Sequence, residues 1–167
     1  RGNPAGVCLL EEEASADWMQ NIAMEMNLSE TAFVSGKKDR LGIRFFTPLA
    51  EIDLCGHATL SASHILFESG IFERSETINL ESKAGKLSVS FKGGWIVMNF
   101  PAYPLKAEEV PSEFEAIVGA RPSEYFSSAY NWKLALLENE TQLRGLLPDF
   151  PRMKNSGFGD LIVTSPS

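Results

Sequence analysis

Two short segments of the sequence combine side chains that can move protons with backbone features that bind ligands. In the first segment, Glu30 stands between Ser29 and an apolar stretch that begins at Ala32. A carboxylate partly buried at the mouth of an apolar strand suits a general acid or base. The competing interpretation is a solvated turn, and the local residues alone favour that turn by about two to one.

The second segment runs from Asp53 to Thr59 and contains Cys55, Gly56 and His57 in succession. Gly56 allows a ligand to approach the backbone, and free N–H groups at the start of a following helix can bind an anion. His57 can donate to a carboxylate or shuttle a proton, and Cys55 can act as a thiol acid or base. The alternative is a helix entry with a capping side chain and an inert buried thiol, and the local residues favour neither.

Other patterns of catalytic and metal-binding residues are missing from the sequence. It has no His-x-x-x-His or Cys-x-x-Cys spacing, so local sequence predicts no metal site. It also has no Gly-x-Ser-x-Gly elbow. We expect His64 to pack inside a helix, and we expect Glu51 and Asp53 to lie on a solvated strand edge.

The order of the predicted elements indicates an α+β protein. A strand ends at Leu10, and a helix follows from the cap at Ser15 through Asn27, with a core-facing stripe of Trp18, Ile22 and Met26 beside Met19 and Ala23. A second helix covers about 58–69. Strands are predicted at 31–34, 41–47, 77–81, 86–91 and 95–100. Strands and helices do not alternate regularly and no Gly-rich first turn is present, which excludes a doubly wound nucleotide-binding fold.

The proline-rich stretch Pro101–Pro111 marks a predicted domain boundary, with one domain at 1–101 and a second at 102–167. In the second domain, Ser112 and Glu115 form a predicted capping box for a helix that ends near Val118. Further strands are predicted at 125–130, 133–137 and 161–164, and a helix at 140–146.

The composition limits the classes of partner. The 167 residues carry a net charge of −7, and the pI is near 4.9. An acidic surface repels phosphate backbones, so we expect no nucleic-acid binding. No apolar run approaches the roughly 20 residues of a membrane span. The two cysteines are too few for a disulfide scaffold, and together with the missing signal pattern they predict a cytoplasmic location.

Four motifs in this order resemble the PhzF-like family, the phenazine-biosynthesis-like isomerases, which share the diaminopimelate epimerase fold. The motifs are 2–7, 27–33, 46–48 and 51–59, and the resemblance covers roughly residues 1–100. It implies two pseudo-symmetric lobes, each a mixed sheet curled around a central helix, with the active site in the cleft between them. It also implies a homodimer.

The resemblance further implies proton transfer without a cofactor or a metal on a small anionic substrate that is similar to an amino acid or a hydroxy acid. Glu30 corresponds to the family's proton-transferring glutamate. The implied substrate site consists of Asn3, Asp53, Cys55, Gly56, His57, Ala58 and Thr59.

Two departures from the family pattern leave alternatives open. Related epimerases use one cysteine per lobe, and Cys55 stands at the first of these positions, but Cys8 precedes the first helix and cannot be the second. The family's Asp-Pro-x-x-Gly-Ser segment is missing as well, so we expect a partial chain with an incomplete second lobe. The alternatives are a non-catalytic member that binds a small acid or a protein, and a cysteine-dependent racemase that uses Cys55.

Overall fold

The computed structural model of the protein describes residues 2–100, 102–128, 132–158 and 160–166. The chain divides into two units, Arg1–Pro101 and Ala102–Ser167. The elements of the first unit are β1 (Ala5–Leu10), α1 (Ala16–Met26), β2 (Glu30–Lys37), β3 (Arg40–Phe46), β4 (Glu51–Ile52), α2 (Gly56–Glu68), β5 (Ile78–Ser82), β6 (Gly85–Lys92) and β7 (Trp95–Asn99). Those of the second are β8 (Lys106–Ala107), α3 (Phe114–Val118), β9 (Glu124–Ser127), β10 (Trp132–Leu136), α4 (Glu140–Arg144), α5 (Phe150–Lys154) and β11 (Asp160–Thr164).

The sheet of the first unit is mixed and curls around α2. Its strand order is β1-β2-β3-β5-β6-β7, with β4 paired to β3. The pairs β1–β2 and β3–β5 are parallel, and the others are antiparallel. Because α2 contacts β1 and β2 at one edge and β7 at the other, the sheet wraps around this helix. The α+β class predicted from the element order is confirmed.

Small residues allow α2 to sit inside the sheet. Ala58 and Ala62 are fully buried, and Leu66 joins them in a core cluster with Phe45 and Leu80 from the strands. Alanines at positions i and i+4 face the same side of a helix and let strands approach closely. The position of α2, and with it the position of its first turn, is therefore determined by close packing along its whole length.

The strand β2 is buried on both faces, which explains its continuous apolar run. Ala32 and Val34 face the α2 cluster, whereas Phe33 lies in a second cluster with Met19 and Ala23 of α1. The predicted stripe of α1 is therefore partly wrong. Trp18 and Met26 are 44% and 46% exposed, because α1 turns its Met19–Ala23 line to the sheet, and periodicity alone cannot choose between two adjacent apolar lines.

The second unit has a four-stranded sheet in the order β11-β10-β9-β8. Its core packs α3 against β9 and β10 and consists of Phe114, Ile117, Val118, Tyr125, Ala135 and Phe158. Every helix among its described residues has five residues, so the long central helix expected for a second lobe is not among them. The predicted strand 125–130 ends at Ser127, and residues 129–131 lie outside the described part of the chain.

The predicted capping box at Ser112 is wrong. The helix α3 begins at Phe114 with Glu113 as its N-cap, and the Ser112 hydroxyl donates to the Glu113 carboxylate at 3.2 Å. Helix α5 was not predicted, although Asp149 caps it by accepting from the Arg152 backbone N–H at 3.0 Å. Across the described residues, no helix combines the length and apolar character that crossing a membrane requires.

Candidate functional site

Glu30 is the first residue of β2, at the point where the chain turns from α1 into the sheet. Asn27 caps the end of α1 in a left-handed conformation with φ of 48°, which Asn tolerates better than most residues. The strand β2 then runs parallel to β1, with Glu30 opposite Ala5. The carboxylate therefore lies where two parallel strands begin, and its side chain is only 18% exposed.

His57 meets Glu30 from the first turn of α2. Its Nε2 lies 3.0 Å from Glu30 Oε2, which is an ion-pair separation. Oε2 is nevertheless shielded from solvent and has no hydrogen-bond partner among the described residues. The distance establishes contact, but the groups lack the alignment of a hydrogen bond. The oxygen thus keeps its capacity to accept a proton.

Ser29 joins the N-terminal segment to this pair. Its hydroxyl donates to Asn3 Oδ1 at 2.7 Å, and its Oγ lies 3.5 Å from His57 Nε2. The structure thereby brings the predicted Asn3 beside the site. Ser29 itself was missed as a site residue, although its hydroxyl precedes Glu30 in the same motif.

Cys55 contacts the other nitrogen of the His57 ring. It is the residue before α2 and is 7% exposed, and its Sγ lies 3.4 Å from His57 Nδ1. Burial raises the pKa of the Cys55 thiol, the backbone N–H of Ala58 opposes that rise, and the Glu30 charge adds to it. Since the net pKa is raised, the group is a thiol and not a thiolate at neutral pH. The imidazole bridges a thiol and a carboxylate.

The first turn of α2 supplies backbone N–H groups. Thr59 N–H closes the turn by donating to the Cys55 carbonyl at 3.0 Å, so the amides of Gly56, His57 and Ala58 have no acceptor within the helix. The side chains of Ala58 and Thr59 are buried, and the Thr59 hydroxyl donates to the Cys55 carbonyl at 2.7 Å. These two predicted substrate residues therefore have no exposed side chain with which to contact a ligand.

Gly6 is required where β1 passes the start of β2. A Cβ atom at this position would lie 2.8 Å from Thr31 Oγ1 and 3.0 Å from Thr31 Cγ2. The Thr31 side chain is fully buried and stiff at χ1, so it cannot move aside cheaply. The glycine keeps β1, and hence the segment that carries Asn3, close to Glu30.

Glu51 belongs to a charge cluster that anchors β4. Arg44 Nε and Nη2 donate to the two Glu51 oxygens at 2.7 and 3.0 Å, and Lys83 Nζ donates to Oε2 at 2.6 Å. The expectation of a solvated strand edge is wrong for Glu51, whose side chain is 15% exposed, whereas Asp53 is exposed. The bidentate pair holds the strand that leads into Cys55 and His57.

This pair predicts an acid-dependent part of the stability. The Arg44 hydrogen bonds hold the pKa of the Glu51 carboxyl below its usual value of 4.5. A carboxyl group whose pKa is lower in the folded chain stabilises the protein at pH values above its unfolded-state pKa. This stabilisation is lost as the pH falls through the folded-state pKa. The free energy of unfolding of the wild type should exceed that of Glu51→Gln by a constant amount from pH 6 to 7, within the range of about 5–8 where stability is usually greatest. This difference should shrink below about pH 4.5. Urea titrations of both proteins across this pH range would measure the difference. A difference that does not change with pH would contradict the prediction.

The remaining histidine and cysteine lie away from the cluster. His64 is exposed on α2, so the expectation that it packs is wrong: the helix turns Ser63 and Leu66 inward instead. Cys8 lies opposite Phe33 in the β1–β2 pair, three positions along from the pair of Ala5 with Glu30. That spacing corresponds to roughly 10 Å, so Cys8 does not meet Cys55 across Glu30.

Comparisons with known proteins identify the family of this chain. The family model described as phenazine biosynthesis-like protein, PhzC-PhzF, matches residues 1–166. An uncharacterized isomerase of Halalkalibacterium halodurans is 39% identical over 168 residues, which cover 100% of this chain and 63% of that protein. A crystal structure of a PhzF-family protein from Enterococcus faecalis matches with a TM-score of 0.83 and 36% identity, covering 97% of this chain and 62% of the other.

A more distant structure supports the fold alone. A predicted epimerase from Pseudomonas aeruginosa is similar with a TM-score of 0.66 at 14% identity, over 96% of this chain and 64% of that one. The chain spans about 63% of the length of the curated isomerase that it matches. Its fold is that of the PhzF and epimerase-like proteins, and the resemblance carried by the four sequence motifs is confirmed: the chain belongs to the PhzC-PhzF family of phenazine biosynthesis-like proteins.

Proposed function

We propose that this chain carries the proton-transferring part of an isomerase or epimerase that acts without a cofactor on a small amino-acid-like or hydroxy acid. The observation that carries the proposal is the state of Glu30. Its Oε2 is shielded from solvent, accepts no hydrogen bond from the described residues and lies 3.0 Å from His57 Nε2, and 18% of the side chain is exposed. A carboxylate held in this way beside an imidazole can accept a proton from a substrate carbon that reaches its exposed part.

The reaction requires one bond to break and one to form. Glu30 takes a proton from a carbon next to a carboxylate or a double bond, and the electron pair of that C–H bond spreads into the neighbouring π system. The protonated Glu30 then returns the proton to a different carbon or to the other face of the same carbon. His57, in contact with both Glu30 and Cys55, can pass a proton between them.

The start of α2 can hold the anionic end of the substrate. The helix dipole and the Gly56 amide favour a negative group there, and Gly56 is exposed. An anion bound at this turn would lie beside His57, and therefore beside Glu30. The fixed dipole would also stabilise negative charge that develops during the transfer.

The cysteine-dependent alternative is less favoured by the site. A racemase base must be a thiolate, whereas burial and the Glu30 charge raise the pKa of Cys55. Cys8, the other cysteine of the sequence, lies farther along the β1–β2 pair and not across Glu30 from Cys55. Glu30 is therefore the better candidate for the base.

Solvent exchange tests the proposal. The full chain is incubated in deuterated water with a panel of small amino, hydroxy and unsaturated carboxylic acids, and C–H signals are followed by proton NMR. We expect at least one acid to lose one C–H signal at a rate proportional to the protein concentration. Thermal shift measured in parallel reports binding. Acids that raise the melting temperature without any exchange would contradict catalysis and favour the non-catalytic binder.

A further inference from the structure

The proton-transfer cluster also has the composition of a transition-metal site. Glu30, Cys55 and His57 each offer one ligand atom, and these three atoms lie within 4.8 Å of one another. Thiol sulfur, imidazole nitrogen and carboxylate oxygen are the three donors that Zn²⁺ takes in proteins. A purely carboxylate cluster would favour Mg²⁺ or Ca²⁺, whereas this mixed set favours zinc and its neighbours.

The distances fit a tetrahedral ion after a small movement. Zinc bond lengths of about 2.3 Å to sulfur and 2.1 Å to nitrogen or oxygen place ligand atoms about 3.4–3.6 Å apart. Cys55 Sγ and His57 Nδ1 are already separated by 3.4 Å. Glu30 lies beside the other ring nitrogen, Nε2, at 3.0 Å and within 4.8 Å of the other ligand atoms. Its flexible side chain therefore has to approach an ion on Nδ1 by about 1 Å.

The surroundings of the three ligands make this movement inexpensive. Glu30 Oε2 accepts no hydrogen bond from the described residues, so it gives up only its 3.0 Å contact with His57 Nε2 when it moves. The backbone N–H groups of Ala58 and His57 act on the Cys55 sulfur, as outer-shell donors do for metal-bound thiolates. The His57 side chain is 32% exposed, so an ion can reach the site from solvent.

We infer that Glu30, Cys55 and His57 bind one Zn²⁺ or Co²⁺ ion with three protein ligands and an open fourth position, and that the bound ion blocks proton transfer. Metal binding itself does not depend on the proposed function. The inhibition does rest on it, since the ion would occupy the Glu30 oxygen and the His57 nitrogen that the reaction needs. Chelation of the ion should restore the activity.

Cobalt absorbance tests the binding. We expect one equivalent of Co²⁺, added to the full reduced chain, to produce a thiolate-to-cobalt charge-transfer band in the near ultraviolet and the intense visible bands of tetrahedral Co²⁺. Zn²⁺ should displace Co²⁺ and thereby abolish both the charge-transfer band and the visible bands. Cys55→Ser should remove the charge-transfer band, and Glu30→Gln, which preserves side-chain shape, should weaken Co²⁺ binding at least tenfold, or about 1.4 kcal/mol.

The chain provides a matched control for two of the ligands. Cys8 and His64 are its only other cysteine and histidine, so Cys8→Ser and His64→Gln should leave the spectrum unchanged. Circular dichroism of each variant confirms that it is folded. The proposal is overturned if excess Co²⁺ gives the wild type no thiolate band, or if the band survives Cys55→Ser but disappears in Cys8→Ser.

Solvent exchange tests the inhibition separately. One equivalent of Zn²⁺ should abolish the exchange of a substrate that the panel identifies, and EDTA should restore it. Full exchange in the presence of a bound ion would overturn the inhibitory role. If no acid exchanges even without metal, the proposed function fails, and the cobalt spectrum still decides whether the metal site exists.

Discussion

Replacing Glu30 with glutamine is expected to slow proton exchange at the substrate carbon by a factor of about 10² to 10⁴, the usual contribution of a positioned general base. The amide cannot accept a proton at this position, whereas its shape matches the carboxylate. Oε2 accepts no hydrogen bond from the described residues of the wild type, so the substitution breaks no hydrogen bond of that oxygen and alters only its 3.0 Å contact with His57 Nε2. The exchange rate by proton NMR, together with the melting temperature, measures the effect.

A second glutamate serves as the control for this substitution. Glu25 is exposed on α1, so Glu25→Gln removes the same charge without touching the cluster and should leave exchange unchanged. Unchanged exchange in Glu30→Gln would remove this residue from the mechanism. The cysteine-dependent racemase predicts the opposite result, with exchange lost in Cys55→Ser and after thiol alkylation and retained in Glu30→Gln.

Truncating Phe45 to alanine is expected to lower the free energy of unfolding by about 3–5 kcal/mol. Phe45 is fully buried on β3, in the same cluster as Cys55 and Ala58 at the start of α2. The truncation removes apolar contacts and leaves a cavity that a sheet wrapped around a helix cannot readily close. Urea denaturation followed by circular dichroism measures the loss.

An exposed aromatic residue of the same unit provides the comparison for Phe45. Trp95 is 76% exposed at the start of the edge strand β7, so Trp95→Ala should change the stability by no more than about 0.5 kcal/mol. Equal losses in the two variants would contradict the assignment of Phe45 to the core. The Phe45 variant should also weaken substrate binding, because the cluster that it loosens holds the first turn of α2.

Much of the local structure could be predicted because its causes are local. Ser15 caps α1 by accepting from the Trp18 N–H, as its position before an apolar helix predicts. Gly70 follows α2 with a positive φ of 72°, where a left-handed residue ends a helix. Gly93 and Gly94 have positive φ values of 56° and 86° between the antiparallel strands β6 and β7, as a tight hairpin turn requires. Each of these features depends on a few neighbouring residues.

The wrong predictions arose where two local sequence patterns favoured different structures equally well. The apolar lines of Trp18 and Met19 are neighbours on α1, and only the packing of the Met19 line into a cluster with Phe33 and Phe46 selects the second. Ser112 stands three residues before Glu115, as a capping box requires, but α3 begins one residue later than that box would place it. His64 faces solvent because the curled sheet covers the other sides of α2.

Residue type, turn chemistry and periodicity act over a few positions, so they were enough to predict most of the elements, the family motifs and the candidate chemical groups. Only the tertiary structure decided that Glu30, Cys55 and His57 form one cluster and that Oε2 is shielded there. The physical reason is that Glu30 comes from a strand and His57 from a helix enclosed by the whole sheet. Their 3.0 Å separation results from the sum of many packing contacts, and no short stretch of sequence encodes that sum.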